Sequence, residues 1–431
     1  MKKSIYSISA VIVVSIIVII GIFTFSKKDV TNSEISITYA QGKDTTGAIT
    51  QIIEKFNKLH KGKIKVIYRE MPSDTDAQHA VYTTTMSTKK SEYDLISADV
   101  IWTAEFAQAK YVLSLDEFMK RDGIKKADYL KGSIEAATFK NKIWGLPRYV
   151  DAGLLFYRKD IISTPPKTWD ELIEMATKYK GEKNTQYGYV AQAKQYEGLV
   201  CNAMELISAY GGKVVDENGE IIINNKNTIQ GLTKFKELLN NDFVPSNISS
   251  FRELESHTIF LEGNSIFIRN WPYLWTLAQD KDKSKIIGKV GVVPLPKGSL
   301  KSAATLGGWI IMINQYTKHP NESWEFLKFL CGEEGQMISG ISGGGLPSLK
   351  ALWNNADIEK ANPFFKNENF KKGLLSAVPR PISPIYPKLS KIMQVEISKI
   401  ITGTETPEEA VKNMEFEMKK QLELFKNSSV E

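Results

Sequence analysis

The chain has 431 residues, 42% hydrophobic and 24% charged, enough for two domains with full cores and unlike a disordered or fibrous protein. A formal net charge of +7 would suit an anionic partner, yet the lysines are scattered and neighboured by acids, as in Lys89-Lys90 before Glu92. Arginine, the preferred reader of phosphates and base edges, is scarce, so no nucleic-acid partner is expected.

Lys2 and Lys3 precede an apolar run from Ile8 to Phe25 that is about long enough to span a bilayer. Thr24-Phe25-Ser26 is a poor cleavage site, and no lipobox cysteine follows. An uncleaved anchor over residues 1–30 is preferred to a cleaved signal; either way the rest of the chain leaves the cytoplasm. Beyond a short polar linker, Ile35 to Tyr39 alternates like a strand. Ile49, Ile52, Ile53, Phe56 and Leu59 recur at helical spacing, Ile64 to Tyr68 is a second strand, and Ala77 to Thr88 a helix. Asp94 to Ser97 is a third, buried strand with Asp99 just beyond its end. This alternation implies a parallel sheet with helices on both faces, whose ligands bind outside the strand ends.

Asp151 to Tyr157 reads as a strand entering a new unit, and Thr168-Trp169-Asp170-Glu171 as a capping-box-like helix start with Thr168 as N-cap and Glu171 as N3. Helical periodicity runs over 199–210 and 229–239. Ile266-Phe267-Ile268 ends a buried strand, and Arg269-Asn270-Trp271-Pro272-Tyr273-Leu274-Trp275 follows it. Pro272 cannot continue a ladder, so the three aromatics sit at a strand end, either stacking on a ligand ring or plugging a local core. Val290 to Val293 and Ile310 to Ile313 are further strands; the last third is mostly helical, over 322–330, 389–401 and 407–425.

Reactive motifs are missing. The sequence has no GxxxxGK[ST], GxGxxG or GxSxG, and its four histidines lack metal-ligand spacing. Cys201 and Cys331 are expected to be buried free thiols rather than a bridge. What remains is aromatics, strand-end aspartates and glycines, a recognition surface rather than a reactive centre.

Six stretches occur in an order that carries a resemblance: DAGLLFYRKD at 151–160, QYEGLVC at 195–201, RNWPYLW at 269–275, VGVVPLP at 290–296, KSAATLGGW at 301–309 and AVPRPISPIYPKL at 377–389. Together they resemble the extracellular solute-binding proteins of sugar ABC importers, within them the trehalose/maltose-binding type, from about residue 35 to the C-terminus.

The resemblance implies an α/β, two-lobed periplasmic-binding-protein-like fold. Its first lobe would take residues 34–148 and 312–350, and its second 149–311 and 351–431. The chain would cross between lobes near Arg148 to Asp151, Gly308 to Ile313 and Ser348 to Leu352. The resemblance further implies that Asp99 and Asp151 accept hydrogen bonds from sugar hydroxyls and that Trp271 and Tyr273 stack on or edge the sugar. Gly308 and Trp309 would line the other wall, Arg380 would donate to sugar oxygens, Tyr149 would add a contact, and the family's first-loop acid maps loosely to Asp44 or Thr45. Gln78 and His79 stand where the family has paired arginines. The expected partners are a disaccharide or small oligosaccharide, importer permease subunits and, through the N-terminal segment, the membrane. The chain is expected to be a monomer, without cofactor, metal or catalytic residue. A secreted glycoside hydrolase built on Asp99 and Asp151, and a sensory sugar receptor, stand as alternatives.

Overall fold

The computed structural model describes residues 34–428, so the N-terminal apolar run lies outside the described residues. Among the described residues no helix is long and apolar enough to cross a membrane. In chain order the principal strands are β1 (Ile35–Gly42), β2 (Ile64–Met71), β3 (Leu95–Asp99), β4 (Leu146–Ala152), β5 (Leu154–Arg158), β6 (Tyr187–Val190), β7 (Ser265–Asn270), β8 (Val290–Pro294) and β9 (Leu306–Ile313).

They form two principal sheets, and each is the centre of one α/β lobe. The first has the order β2-β1-β3-β9-β4, with β1 parallel to β2 and β3, and β9 antiparallel to β3 and β4. The second has the order β8-β5-β7-β6, parallel only between β6 and β7. Neither sheet is therefore purely parallel. β9 returns from the second lobe's side of the sequence and runs backwards through the first sheet, which local periodicity does not reveal.

Burial explains the pattern. Every residue of β3 is buried, as expected for a central strand covered on both faces. Helix Ala48–Leu59 buries Ile49, Ile52, Ile53 and Phe56, all at helical spacing. Phe56 meets Phe326 of helix Pro320–Cys331 edge to face at 5.0 Å, and Phe326 meets Tyr39 of β1 at 5.4 Å. Each such side chain withdrawn from water contributes about 1.5–3 kcal/mol. In the second lobe, helix Glu197–Ala209 is buried along its whole length, Glu197 and Glu205 included. It packs against helices Lys226–Leu239 and Tyr386–Thr402.

The helix at 169–179 corrects one expectation. Thr168 caps it, accepting from the Glu171 N–H at 3.1 Å, but the Glu171 carboxylate turns to the Lys167 N–H at 2.6 Å. The reciprocal half of the capping box thus falls one residue early. Cys201 and Cys331 are both buried free thiols.

Candidate functional site

Strand register sets out the first wall. Trp309 of β9 is abreast of Asp99 on β3 and of Tyr149 on β4, so three side chains from three neighbouring strands share one level. Gly307 and Gly308 pair with Asp151 and Val150, and the register slips just beyond, between Trp309 and Ile310. Gly308 holds φ +130°, and a Cβ there would lie 2.8 Å from the Tyr149 carbonyl oxygen. Both facts require glycine at this irregularity. A Cβ on Gly307 would meet the Trp271 ring at 2.9 Å and the Asp151 Cβ at 3.2 Å. Bare backbone at Gly307 therefore lets Trp271 and Asp151 close in from either side.

The second wall begins where β7 stops. Asn270 is its last residue, and the chain turns through Pro272 into a short helix, Leu274–Ala278. The Trp271 N–H donates to Asn270 Oδ1 at 2.8 Å. Behind the indole, the Arg269 guanidinium lies 4.0 Å from the ring centroid. Arg269 is itself held by Glu205 through two hydrogen bonds, that from Nε measuring 2.9 Å. The Tyr273 hydroxyl meets His257 Nδ1 at 3.0 Å. Burial, with help from Lys283, pushes the His257 imidazole down to about 4, so it is neutral at ordinary pH.

Between these walls lies a cavity of about 450 Å³, within the range of small-molecule sites. Asp44, Asp99, Tyr149, Asp151, Trp271, Tyr273, Gly308, Trp309 and Arg380 all line it. Trp309 is backed edge-on by Trp102 at 5.9 Å.

Their availability differs. Asp44 Oδ1 accepts from the Thr46 and Gly47 N–H groups and the Thr46 hydroxyl, and its Oδ2 from the Ile49 N–H at 2.8 Å. Both oxygens are committed to the loop that opens helix Ala48–Leu59. Arg380 is equally committed: Nη1 donates to Glu197 Oε1 at 2.8 Å and Nη2 to Asp99 Oδ1 at 2.9 Å. It joins the first sheet to the second lobe instead of offering a free fork. Asp99 Oδ1 also accepts from the Ile101 N–H at 3.2 Å, which leaves Oδ2 without a described partner.

Asp151 is the opposite case. Its carboxylate accepts no hydrogen bond and joins no ion pair among the described residues. Burial pushes its pKa up to about 7, with Asp99 adding to the rise while Arg269 and Arg148 oppose it. A desolvated carboxylate in a cavity is a ready acceptor for hydroxyl donors.

Sequence reasoning missed Glu197, Arg148 and the rim. Glu197 accepts from Arg380, Tyr386 and Ser390, fixing the guanidinium that steadies Asp99. Glu197 stands in the first turn of its helix, where an acid is ordinary, so its spacing carried no distinctive signal. At the rim, Arg252 Nη2 lies 2.7 Å from Asp74 Oδ2, and Lys283 Nζ donates to the Thr45 carbonyl at 2.8 Å. Gln78 lines the cavity and donates to Tyr82 and Ser97, whereas His79 pairs with Glu105. Among the described residues no group of three or more His, Cys, Asp or Glu could hold a metal ion.

Residues 40–337 match the family described as bacterial extracellular solute-binding protein. The chain is 33% identical over 360 residues to a probable ABC transporter-binding protein of Deinococcus radiodurans, covering 80% of this chain and 84% of that one. It is 27% identical over 262 residues to the maltotriose-binding protein of Pyrococcus abyssi, covering 60% of this chain and 55% of that one. Among solved structures, maltose-bound MalE3 of T. maritima superposes with a TM-score of 0.84 at 32% identity, covering 90% of this chain and 100% of that one.

Proposed function

This chain belongs to the bacterial extracellular solute-binding protein family, and on that premise we propose that it captures an α-linked disaccharide, of the maltose or trehalose type, for an ABC importer. The observation that carries this reading is the cavity itself: an unpartnered Asp151 and the Trp271 ring flank Gly307 within it. A pyranose offers an apolar C–H face to the indole and hydroxyl donors to the carboxylate. The similarity to a maltose-bound structure at 32% identity supports the same class of ligand.

In this reading Asp99 Oδ2 and Asp151 accept hydroxyls, Trp271 and Tyr273 form the aromatic wall, and Gly308, Trp309 and Tyr149 form the other. Arg380 acts through Asp99 and Glu197, and Asp44 shapes the loop at the entrance. The lobes, divided near residues 148–151, 308–313 and 348–352, rotate about those crossings to admit and release sugar. The mature protein is a monomer that hands its sugar to permease subunits. The apolar N-terminal run anchors it on the outer face of the membrane.

The family is one of binding proteins, so no hydrolytic step is assigned to Asp99 and Asp151. A thermal-shift screen across mono-, di- and trisaccharides tests the ligand class. Stabilisation by a glucose disaccharide supports it; a response to amino acids or polyols alone opposes it.

A further inference from the structure

Four arginines are buried among the described residues: Arg148, Arg158, Arg269 and Arg380. Three are neutralised by carboxylates. Arg158 pairs with Asp160, Arg269 with Glu205, and Arg380 with Asp99 and Glu197. Arg148 is the exception. It is 4% exposed, lines the cavity and joins no ion pair among the described residues.

Among the described residues its side chain makes one hydrogen bond, from Nη1 to Gln41 Oε1, a neutral acceptor that also takes the Tyr39 hydroxyl at 2.7 Å. Nε is buried without a partner, and Nη2 has no described acceptor. The guanidinium carbon lies 5.3 Å from the centroid of the Tyr149 ring, which also lines the cavity. A buried cation with one shared neutral acceptor is costly until something accepts from it. Three residues further along β4, Asp151 shows the complementary lack, a carboxylate with no donor.

A hydroxylated ring resolves both, because each hydroxyl can accept from one group and donate to another. We infer that Arg148 is a ligand-binding residue that determines specificity, donating through Nη2 to an oxygen of the sugar ring whose hydroxyls reach Asp151. The inference rests on the saccharide-binding reading above. It assigns to Arg148 the donor role that Arg380, held between two carboxylates, does not fill.

Calorimetric titration of maltose and its monodeoxy analogues into the wild type, Arg148→Met and Arg148→Lys tests it, with melting temperatures measured in parallel. The wild type is expected to lose about tenfold in affinity for at least one deoxy analogue, as for the loss of one hydrogen bond to a charged group. Arg148→Met should bind maltose about that much more weakly and show no further loss with that analogue. Arg148→Lys, which keeps the charge and loses the planar fork, should fall between. A merely structural Arg148 would lower the melting temperature and weaken every analogue by one common factor, and that result overturns the inference. If the wild type binds no saccharide, the ligand class falls and the inference with it. If it binds and the deoxy profile survives in Arg148→Met, only the inference falls.

Discussion

Arg252 Nη2 lies 2.7 Å from Asp74 Oδ2, tying the N-terminal cap of helix Glu253–Leu261 in one lobe to that of helix Thr75–Ser87 in the other. Arg252 lines the cavity, and under the proposed rotation of the lobes this pair would form only when they are together. Partly exposed pairs of this kind are worth about 0–1 kcal/mol. Arg252→Gln should therefore speed sugar release by no more than about fivefold while leaving the fold intact. Stopped-flow dissociation at low and high salt checks this. The wild type should release faster in high salt and the variant should respond less. Equal salt dependence in both would remove the pair from the account of closure.

Sugar affinity should depend on pH through Asp151. Its folded-state pKa stands at about 7, above the ordinary carboxylate range, because burial opposes the charge. Hydroxyl donors favour the ionised form, so binding lowers that pKa and releases a proton near neutrality. Affinity should be at its full value above about pH 7 and decline as the pH falls below it. Asp151→Asn should flatten the profile. The sign for stability is reversed: the unfolded chain ionises first, so this group's cost to the folded protein grows as the pH rises from the ordinary carboxylate range to about 7. Titrations in two buffers of different ionisation enthalpy measure the proton release.

Arg380→Met should destabilise the protein by about 3–5 kcal/mol, because it strands two buried carboxylates. Asp99 and Glu197 both lose their counter-ion, and burial already raises the Glu197 pKa. Urea unfolding measures the loss, and the variant's deficit should shrink at acid pH, where Glu197, its pKa raised by burial, takes up a proton. A change smaller than 1 kcal/mol would mean that Arg380 is not the keystone between the lobes.

Gly307→Ala should weaken sugar binding without contacting sugar. Its Cβ would press on the Trp271 ring at 2.9 Å and so shift the indole. Melting temperature and affinity together distinguish a displaced ring from a misfolded strand.

Local chemistry made much of this legible in the sequence. Pro272 marks the end of β7, Thr168 marks a helix start, and the spacing of Ile49, Ile52, Ile53 and Phe56 marks a buried face. The nine residues named from the resemblance line one cavity, but their hydrogen bonds could not be read from their spacing. Asp44 is committed to its own loop, and Arg380 to partners 281 and 183 positions away. In the sequence Arg148 stands only at an expected lobe crossing, and the packed structure alone shows that its guanidinium meets no acid among the described residues. The reversal of β9 was hidden for a related reason, since strand direction is decided by distant neighbours.

Trp271 tests the central claim most directly. Its ring lines the cavity between the Arg269 guanidinium and the Gly307 backbone, and it should cover one face of the sugar. Isothermal titration of maltose and trehalose into the wild type and Trp271→Ala is the decisive measurement. Micromolar or tighter binding of at least one disaccharide is expected for the wild type, with a loss of about 1–3 kcal/mol in the folded variant. Undiminished affinity in the variant, or no saccharide binding by the wild type, would contradict the account.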